Sequence, residues 1–195
     1  MTFLIAITGG IGSGKSVVSE VLRVMGYDIY DCDSQAKRIM DTDPEIIDSI
    51  AQYVSAEAIF PDRTIDRKTL ARIVFNDAAA LTKLNGIVHE TVRKHLDAWR
   101  QAPGGSHIKF VETAILYQSG LDRMVDEVWE VIAPDELRID RVIKRNNMTR
   151  AEVERRIESQ QYTPEQTHKH VRHIFNGYND AILPQVSELL RDQKL

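Results

Sequence analysis

Eight residues near the start of the chain have the types and the spacing of a phosphate-binding loop. They read Gly9-Gly10-Ile11-Gly12-Ser13-Gly14-Lys15-Ser16, which is a glycine, four residues and then Gly-Lys-Ser. Glycines allow the backbone to wrap with its N–H groups turned inward, and a helix that starts here adds the positive end of its dipole. Lys15 would reach the β- and γ-phosphates, and the Ser16 hydroxyl would coordinate Mg²⁺. The loop therefore predicts a binding site for a nucleoside triphosphate.

The residues on both sides of the loop support that interpretation. An apolar, β-rich run at 3–8 precedes it, and a helical pattern of apolar residues follows it to Met25. The dinucleotide-binding fingerprint is excluded, because Lys15 stands where its last glycine would have to be. The sequence has no Asn-Lys-x-Asp quartet to read guanine, which argues against a GTPase. ATP-dependent small enzymes remain the favoured class.

Composition sets the outer limits of the prediction. A chain of 195 residues has room for one α/β core with an insertion, and its 43% hydrophobic and 28% charged residues are typical of a globular protein. A net charge of −4 argues against a nucleic-acid partner, and no apolar run approaches the ~20 residues of a membrane span. The single cysteine, Cys32, excludes an internal disulfide. We expect a cytoplasmic protein without a leader, a monomer or small homo-oligomer that binds small molecules.

The order of strand and helix patterns predicts an α/β fold with a parallel sheet. Runs rich in β-branched residues at 3–8, 27–30, 108–111, 128–133 and 171–175 alternate with helical patterns. This order predicts a P-loop NTPase of the nucleoside-kinase-like type, a three-layer α/β/α arrangement with right-handed crossovers. The predicted parts are a nucleotide-binding core at 1–34, 104–134 and 171–195, a helical insertion at 35–103, and an arginine-rich lid at 135–170. Within the lid, helices are predicted to start at Thr149, in a capping box with Glu152, and at Thr163. Elsewhere the pattern predicts helix starts at Asp43 and Asp66, helices at 34–40 and 179–190, and a helical turn or two at 116–123.

A small-molecule kinase needs a carboxylate beside the acceptor hydroxyl and basic side chains on the transferring phosphoryl. Asp33 follows the second strand and is the candidate base, although its spacing fits a simple cap of the next helix equally well. Arg141 and Arg145 lie one helical turn apart and could clamp phosphates. Charge count alone would instead make most of these arginines part of a solvated helix face.

Over almost its whole length the chain resembles the dephospho-coenzyme A kinase family. The resemblance is carried by the loop from Thr8 to Ser16, by Asp31-Cys32-Asp33, by Asp66-Arg67-x-x-Leu70-Ala71, by Leu84-Asn85-x-Ile87-x-His89, by Arg141-x-x-x-Arg145, by Arg156-Ile157-x-x-Gln160 and by Asn176. Together these motifs are far more specific than the phosphate loop alone.

The resemblance implies ATP-dependent phosphorylation of the ribose 3′-hydroxyl of dephospho-CoA, the last step of coenzyme A synthesis, with Mg²⁺ as cofactor. It implies that the 35–103 insertion binds CoA. The implied catalytic residues are Asp33, Lys15, Arg141 and Arg145. The implied substrate-binding residues are Thr8, Asp33, Arg67 and His89. The implied ATP-binding residues are Gly10, Ile11, Gly12, Ser13, Gly14, Lys15, Ser16, Val17 and Asn176, the last near the adenine.

The sequence departs from the family pattern at several positions, and two alternatives stay open. Glu90 replaces a usual proline, Gln118 replaces a glutamate, and Arg138 replaces a frequent glutamine. One alternative is another small-molecule kinase of the same architecture, for a nucleoside monophosphate or a sugar acid. The other is a nucleotide-binding regulatory protein without catalysis, which Gln118 and Glu90 would fit.

Overall fold

The computed structural model describes residues 2–160 and 168–193, and the predicted parallel sheet is present in it. Five strands lie in the order β2-β3-β1-β4-β5, and all neighbouring pairs are parallel. The strands are β1 (Phe3–Thr8), β2 (Ile29–Asp31), β3 (Ile108–Glu112), β4 (Glu127–Ile132) and β5 (Val171–Phe175). The helices are α1 (Lys15–Val24), α2 (Cys32–Thr42), α3 (Pro44–Tyr53), α4 (Arg67–Asn76), α5 (Ala78–Gln101), α6 (Asp135–Asn146), α7 (Arg150–Ser159) and α8 (Ile182–Asp192).

Strand β1 occupies the centre of the sheet and forms the base of the phosphate loop. Its residues 4–8 are all buried, as expected for a central strand covered on both faces. Ile5 pairs with Phe110 on one side, and the Phe110 and Trp129 rings pack with centroids 5.2 Å apart. Helices α1 and α8 add Val18, Leu22 and Val186 to the same apolar core. Full burial of one such side chain contributes about 1.5–3 kcal/mol to stability. Since several of them anchor β1, the strand holds the start of the phosphate loop in a fixed position.

The chain divides into two compact units, one made of 1–31 with 103–195 and the other of 32–102. The second unit contains α2 to α5. Its helix starts follow local capping rules: the carboxylate of Asp43 accepts from Glu45 N at 2.9 Å, and that of Asp66 accepts from Thr69 N at 3.0 Å. Both predicted helix starts are confirmed.

Several predicted boundaries were wrong for local reasons. Helix α2 begins at Cys32, directly after β2, and therefore includes the Asp33 position in its first turn. The helical stretch predicted near 116–123 is reduced to a hydrogen-bonded turn at 116–120 and a short 3₁₀ helix (Leu121–Arg123), because Gly120 at φ 70° ends the turn. The last helix begins at Ile182, since Asp180 accepts from Gly177 N at 2.7 Å and holds a turn before it. The helix predicted at Thr163 lies outside the described residues.

Among the described helices, none combines the length and the apolar character that crossing a bilayer would require.

Candidate active site

The phosphate loop leaves β1 at the carboxyl end of the sheet and runs directly into α1. Gly14 is the N-cap of α1, at φ 97°, and it has no side chain to cap the helix. An α-helix begins with N–H groups that lack acceptors within the helix, and its dipole is positive at this end. The start of α1 therefore presents backbone N–H groups of the kind that bind anions, and anion binding there stays a prediction.

Lys15 folds back across the opening of the loop. Its ammonium Nζ donates to the carbonyl oxygens of Gly9 at 2.8 Å and of Gly10 at 3.3 Å. Phosphate oxygens carry a full charge and are stronger acceptors than carbonyls. A polyphosphate bound in the loop would therefore find the Lys15 ammonium group already positioned at the edge of the loop.

The remaining loop side chains take different environments. Ser16 and Val17 are exposed in the first turn of α1. Ser13 is buried, and within the described chain its hydroxyl oxygen has no hydrogen-bond partner. The Ser13 N–H donates to the Gly10 carbonyl at 3.2 Å and closes a turn inside the loop, whereas the exposed Ser16 hydroxyl is open to a ligand directly.

Arg141 and Asn176 hold the carbonyl side of the loop. The Arg141 guanidinium donates to the carbonyls of Gly12 and Ser13 at 3.3 and 3.4 Å, and to the Asn176 carbonyl at 3.1 Å. The Asn176 side-chain amide donates to the Ser13 carbonyl at 2.7 Å. Asn176 is buried and its own N–H continues the sheet by donating to Ile132 O at 2.8 Å. Two of the residues named by the sequence thus meet the phosphate loop.

Arg145 does not join them in the described structure. It lies exposed in the last turn of α6, where its Nε donates to Asn146 Oδ1 at 2.7 Å. The arginine that accompanies Arg141 at the loop is Arg138, whose Nε donates to the Ile11 carbonyl at 3.0 Å. The sequence interpretation treated Arg138 only as a departure from the family. Its spacing of three from Arg141 places both on one helix face and could have identified it.

A small cavity of about 20 Å³ lies between the phosphate loop and Gln118, the residue that replaces the family's usual glutamate. Thr8, Gly9 and Gly10 form one wall, and Tyr117, Gln118 and Gln160 contribute to the others. Burial raises the pKa of Tyr117, whose hydroxyl accepts from His168 N at 3.3 Å. The volume is about that of one water molecule.

The other candidate residues lie in the helical unit. Asp33 is exposed in the first turn of α2, two residues beyond the end of β2. Arg67 forms an exposed ion pair with Asp41 at 2.6 Å. His89 is half-buried on α5, and burial followed by the charge of Arg93 lowers its pKa.

Glu90, which stands where the family usually has proline, leaves α5 uninterrupted from Ala78–Gln101 and pairs with Lys94 at 2.9 Å. Proline inside a helix removes one backbone hydrogen bond and clashes with the preceding turn. With glutamate at this position, the backbone N–H of residue 90 is kept and α5 continues without a break.

A parallel sheet, a glycine-rich loop after its central strand and a helix start without a side-chain cap define a P-loop nucleotide-binding enzyme. Comparisons with known proteins narrow this class. The family model for dephospho-CoA kinase matches residues 3–184. The chain is 36% identical over 190 residues to a dephospho-CoA kinase from Bacteroides fragilis, a match that covers 97% of this chain and 92% of the relative. The chain belongs to the dephospho-CoA kinase family.

Solved structures agree with this fold. A crystal structure of a Thermus thermophilus protein superposes with a TM-score of 0.75 at 30% identity, over 98% of this chain and 95% of that one. The dephospho-CoA kinase from Campylobacter jejuni superposes with a TM-score of 0.63 at 24% identity, over 98% and 97%. The predicted fold class is confirmed.

Family membership also settles the reaction class. The chain is a kinase with ATP as co-substrate, and it phosphorylates the ribose 3′-hydroxyl of dephospho-CoA to give CoA and ADP. This reaction is the last step of coenzyme A biosynthesis. The predicted function is therefore confirmed, and the question that remains is which residues carry each part of it.

Proposed function

We propose that the Gly9–Ser16 loop and Lys15 bind the triphosphate and that Asp33 activates the acceptor hydroxyl. The observation that carries the first part is the position of Lys15 across the mouth of a loop whose helix start has no side-chain cap. Backbone N–H groups and the α1 dipole bind the phosphates, and Lys15 neutralises charge on the β- and γ-phosphates. Asn176, beside the loop, is proposed to contact the nucleotide near the adenine.

We propose Ser16 as the protein ligand of Mg²⁺. The exposed hydroxyl in the first turn of α1 is an oxygen donor, which Mg²⁺ prefers, and it lies next to the phosphate-binding amides. When bound with ATP, Mg²⁺ supplies positive charge to the phosphate oxygens. Ser16 orients that charge, and Lys15 adds to it from the other side of the loop.

Asp33 is proposed as the general base. As the 3′-oxygen attacks the γ-phosphorus, the hydroxyl proton passes to the Asp33 carboxylate, the bond from phosphorus to the β–γ bridging oxygen breaks, and ADP leaves. Its place just beyond the carboxyl end of β2 supports this role, because parallel α/β sheets bind ligands beyond the carboxyl ends of their strands. The helical unit at 32–102 is proposed to bind dephospho-CoA, with Arg67 and His89 among its contacts, and Thr8 to contact substrate from the core.

We propose that residues 135–170 act as a lid over the nucleotide. Arg141 and Arg145 would screen the charge that develops on the transferring phosphoryl, and closure would exclude water. Positive side chains of α6 and the contacts of Arg141 with the loop support the proposal. We further propose a cytoplasmic monomer or small homo-oligomer, with no nucleic-acid or membrane partner.

The test is product identification. Purified protein is incubated with ATP, Mg²⁺ and dephospho-CoA, and the products are identified by mass spectrometry and ³¹P NMR. A 3′-phosphorylated product and an equal amount of ADP are expected. Nucleoside monophosphates and shikimate serve as matched acceptors in parallel reactions. Transfer only to one of these would overturn the substrate assignment, and ATP binding without any transfer would favour a regulatory protein.

A further inference from the structure

Ile11, in the middle of the phosphate loop, is held by three separate contacts with the α6–α7 hairpin and the residue that follows it. Its N–H donates to Gln160 Oε1 at 2.7 Å. Its carbonyl accepts from Arg138 Nε at 3.0 Å. Its side chain packs against the apolar cluster of the hairpin, formed by Ile139, Val142, Val153 and Ile157. Both polar groups of one loop residue are thus bound by side chains more than 120 residues away.

Two of the three nitrogens of the Arg138 guanidinium are taken up by this contact and by an ion pair. Its Nη1 forms an ion pair with Asp135 at 2.7 Å, and the Arg138 side chain is only 14% exposed. Its Nη2 lies over Gly10, in the space that a side chain at that position would need. Because Asp135 balances its charge and Ile11 takes its Nε, Arg138 is placed to hold the loop rather than to bind phosphate.

The hairpin that carries these groups is itself well defined. Thr149 and Glu152 form a reciprocal capping box at the start of α7, as the sequence predicted. Arg150 bridges the two helices, with ion pairs to Glu136 at 2.6 Å and to Glu154 at 2.8 Å. The apolar cluster between α6 and α7 is buried. A contact from this hairpin can therefore impose a position on the loop.

We propose that Arg138 and Gln160 are positioning residues that set the phosphate loop for ATP through Ile11. The inference rests on the proposed nucleotide role of the loop. The amides of residues 12–16 follow Ile11 directly, so the orientation of the Ile11 peptide fixes where the phosphate-binding amides begin. Without either contact, the loop samples other orientations. Binding of ATP must then order the loop, which weakens the apparent affinity for ATP.

The test compares two truncations with matched controls. Gln160→Met keeps the length of the side chain and removes the acceptor for Ile11. Arg138→Met keeps the side chain only as far as the position of Nε and removes the donor for Ile11. Each is expected to raise the Kd for Mg·ATP, measured by isothermal titration calorimetry, by roughly fivefold to tenfold, the value of one hydrogen bond. The KM for ATP rises in parallel, while the KM for dephospho-CoA stays within about twofold of wild type. Arg138→Lys and Arg138→Gln retain a donor and are expected to recover most of the affinity.

Arg150→Met is the control within the same hairpin. It removes two ion pairs without touching the loop, so the Kd for Mg·ATP is expected to stay unchanged even if the melting temperature falls. The proposal is overturned if folded Arg138→Met and Gln160→Met bind Mg·ATP as wild type does, or if Arg150→Met loses as much affinity. The titration of Mg·ATP needs no acceptor substrate. If the wild-type protein failed to phosphorylate dephospho-CoA, the proposed function would be refuted, but the effect of Arg138 and Gln160 on ATP binding could still be measured.

Discussion

The side-chain amide of Asn176 occupies the place that a side chain at Gly14 would have to take. The amide donates to the Ser13 carbonyl at 2.7 Å, and its nitrogen overlaps the position of a Cβ built on Gly14. Gly14 also needs its left-handed φ of 97°, which other residues adopt at a cost. Since Asn176 follows β5 directly, the edge of the sheet fixes the last turn of the phosphate loop.

Asn176→Ala should weaken both the fold and nucleotide binding. It removes the shorter of the two hydrogen bonds to the Ser13 carbonyl and an acceptor for Arg141, and two lost hydrogen bonds of this kind cost about 1–3 kcal/mol. We expect the free energy of unfolding, from urea titration, to fall by about that amount. The Kd for Mg·ADP should rise roughly tenfold. An unchanged Kd together with lower stability would show that Asn176 supports the sheet and not the nucleotide.

Gly10→Ala should be coupled to Arg138. The φ of Gly10 is not in the positive range, so an alanine there meets only the end of the Arg138 side chain. In the wild-type background the substitution should displace Arg138 and weaken Mg·ATP binding. In an Arg138→Ala background the same substitution should cost about 1 kcal/mol less.

Gly12→Ala is the matched control for that cycle. A Cβ at Gly12 would lie 2.5 Å from the backbone oxygen of Arg138, and the φ of Gly12 is +77°. Neither obstacle depends on the Arg138 side chain, so Arg138→Ala should give Gly12→Ala no relief. Equal relief at both glycines would contradict the role given to the guanidinium.

Lys15→Ala should impair nucleotide affinity and turnover together. The substitution removes the ammonium that lies across the loop opening, and with it a charge that acts in the ground state and in the transition state. We expect kcat/KM for ATP to fall by roughly 10²–10³. Steady-state kinetics with varied ATP measures this, and kinetics equal to those of wild type would remove Lys15 from the phosphate site.

Asp33→Asn should separate chemistry from nucleotide binding. Asparagine is close to aspartate in size and fits the same exposed position in the first turn of α2, so helix stability should change by less than about 1 kcal/mol, whereas the proton acceptor is lost. We expect kcat to fall by roughly 10²–10⁴ with the Kd for Mg·ATP near that of wild type. Single-turnover rates at saturating substrates give the chemical step. Wild-type-like turnover would leave Asp33 only the role of a negative charge in the first turn of α2.

The features that could be predicted from the sequence are those set by residues close together in the chain. The phosphate loop, the cap at Asp43 and the capping box at Thr149 each depend on partners within a few residues, so their spacing is visible directly. The parallel sheet followed from the alternation of strand and helix patterns. Asn176 was found through the family resemblance and not from its own surroundings.

The contacts that could not be predicted join distant parts of the chain. Arg138 and Ile11 are 127 residues apart, and Gln160 and Ile11 are 149 apart. No local period encodes such a pair, because it depends on where two helices come to lie after folding. For the same reason the sequence paired Arg141 with Arg145 by helical spacing, whereas the loop contacts select Arg138 and Arg141.

Asp43 in the helical unit should make stability depend on acid pH. Burial raises the pKa of its carboxyl. The hydrogen bond with His95 at 3.1 Å and those from the N–H groups of Glu45 and Ile46 together lower the pKa by more than burial raises it, so the pKa lies below its usual value. The unfolded chain then takes up this proton at a higher pH than the folded one. The stability that Asp43 contributes is complete above about pH 4 and is lost as the pH falls through the lowered pKa.

Asp43→Asn tests this dependence without removing the helix cap, since an amide oxygen can accept from Glu45 N as the carboxylate does. Urea unfolding between about pH 4 and pH 3 should show a shallower loss of stability in Asp43→Asn than in wild type. His95→Asn should flatten the same limb, because it removes the partner that lowers the pKa of Asp43 most. Glu45 and Lys94, which line a surface cavity together with Asp43 and His95, are unchanged in both variants. If the free energy of unfolding of both variants fell with pH as steeply as that of wild type, the loss of stability in acid would have to come from other carboxylates. The Asp43–His95 pair would then not link α3 to α5 through charge.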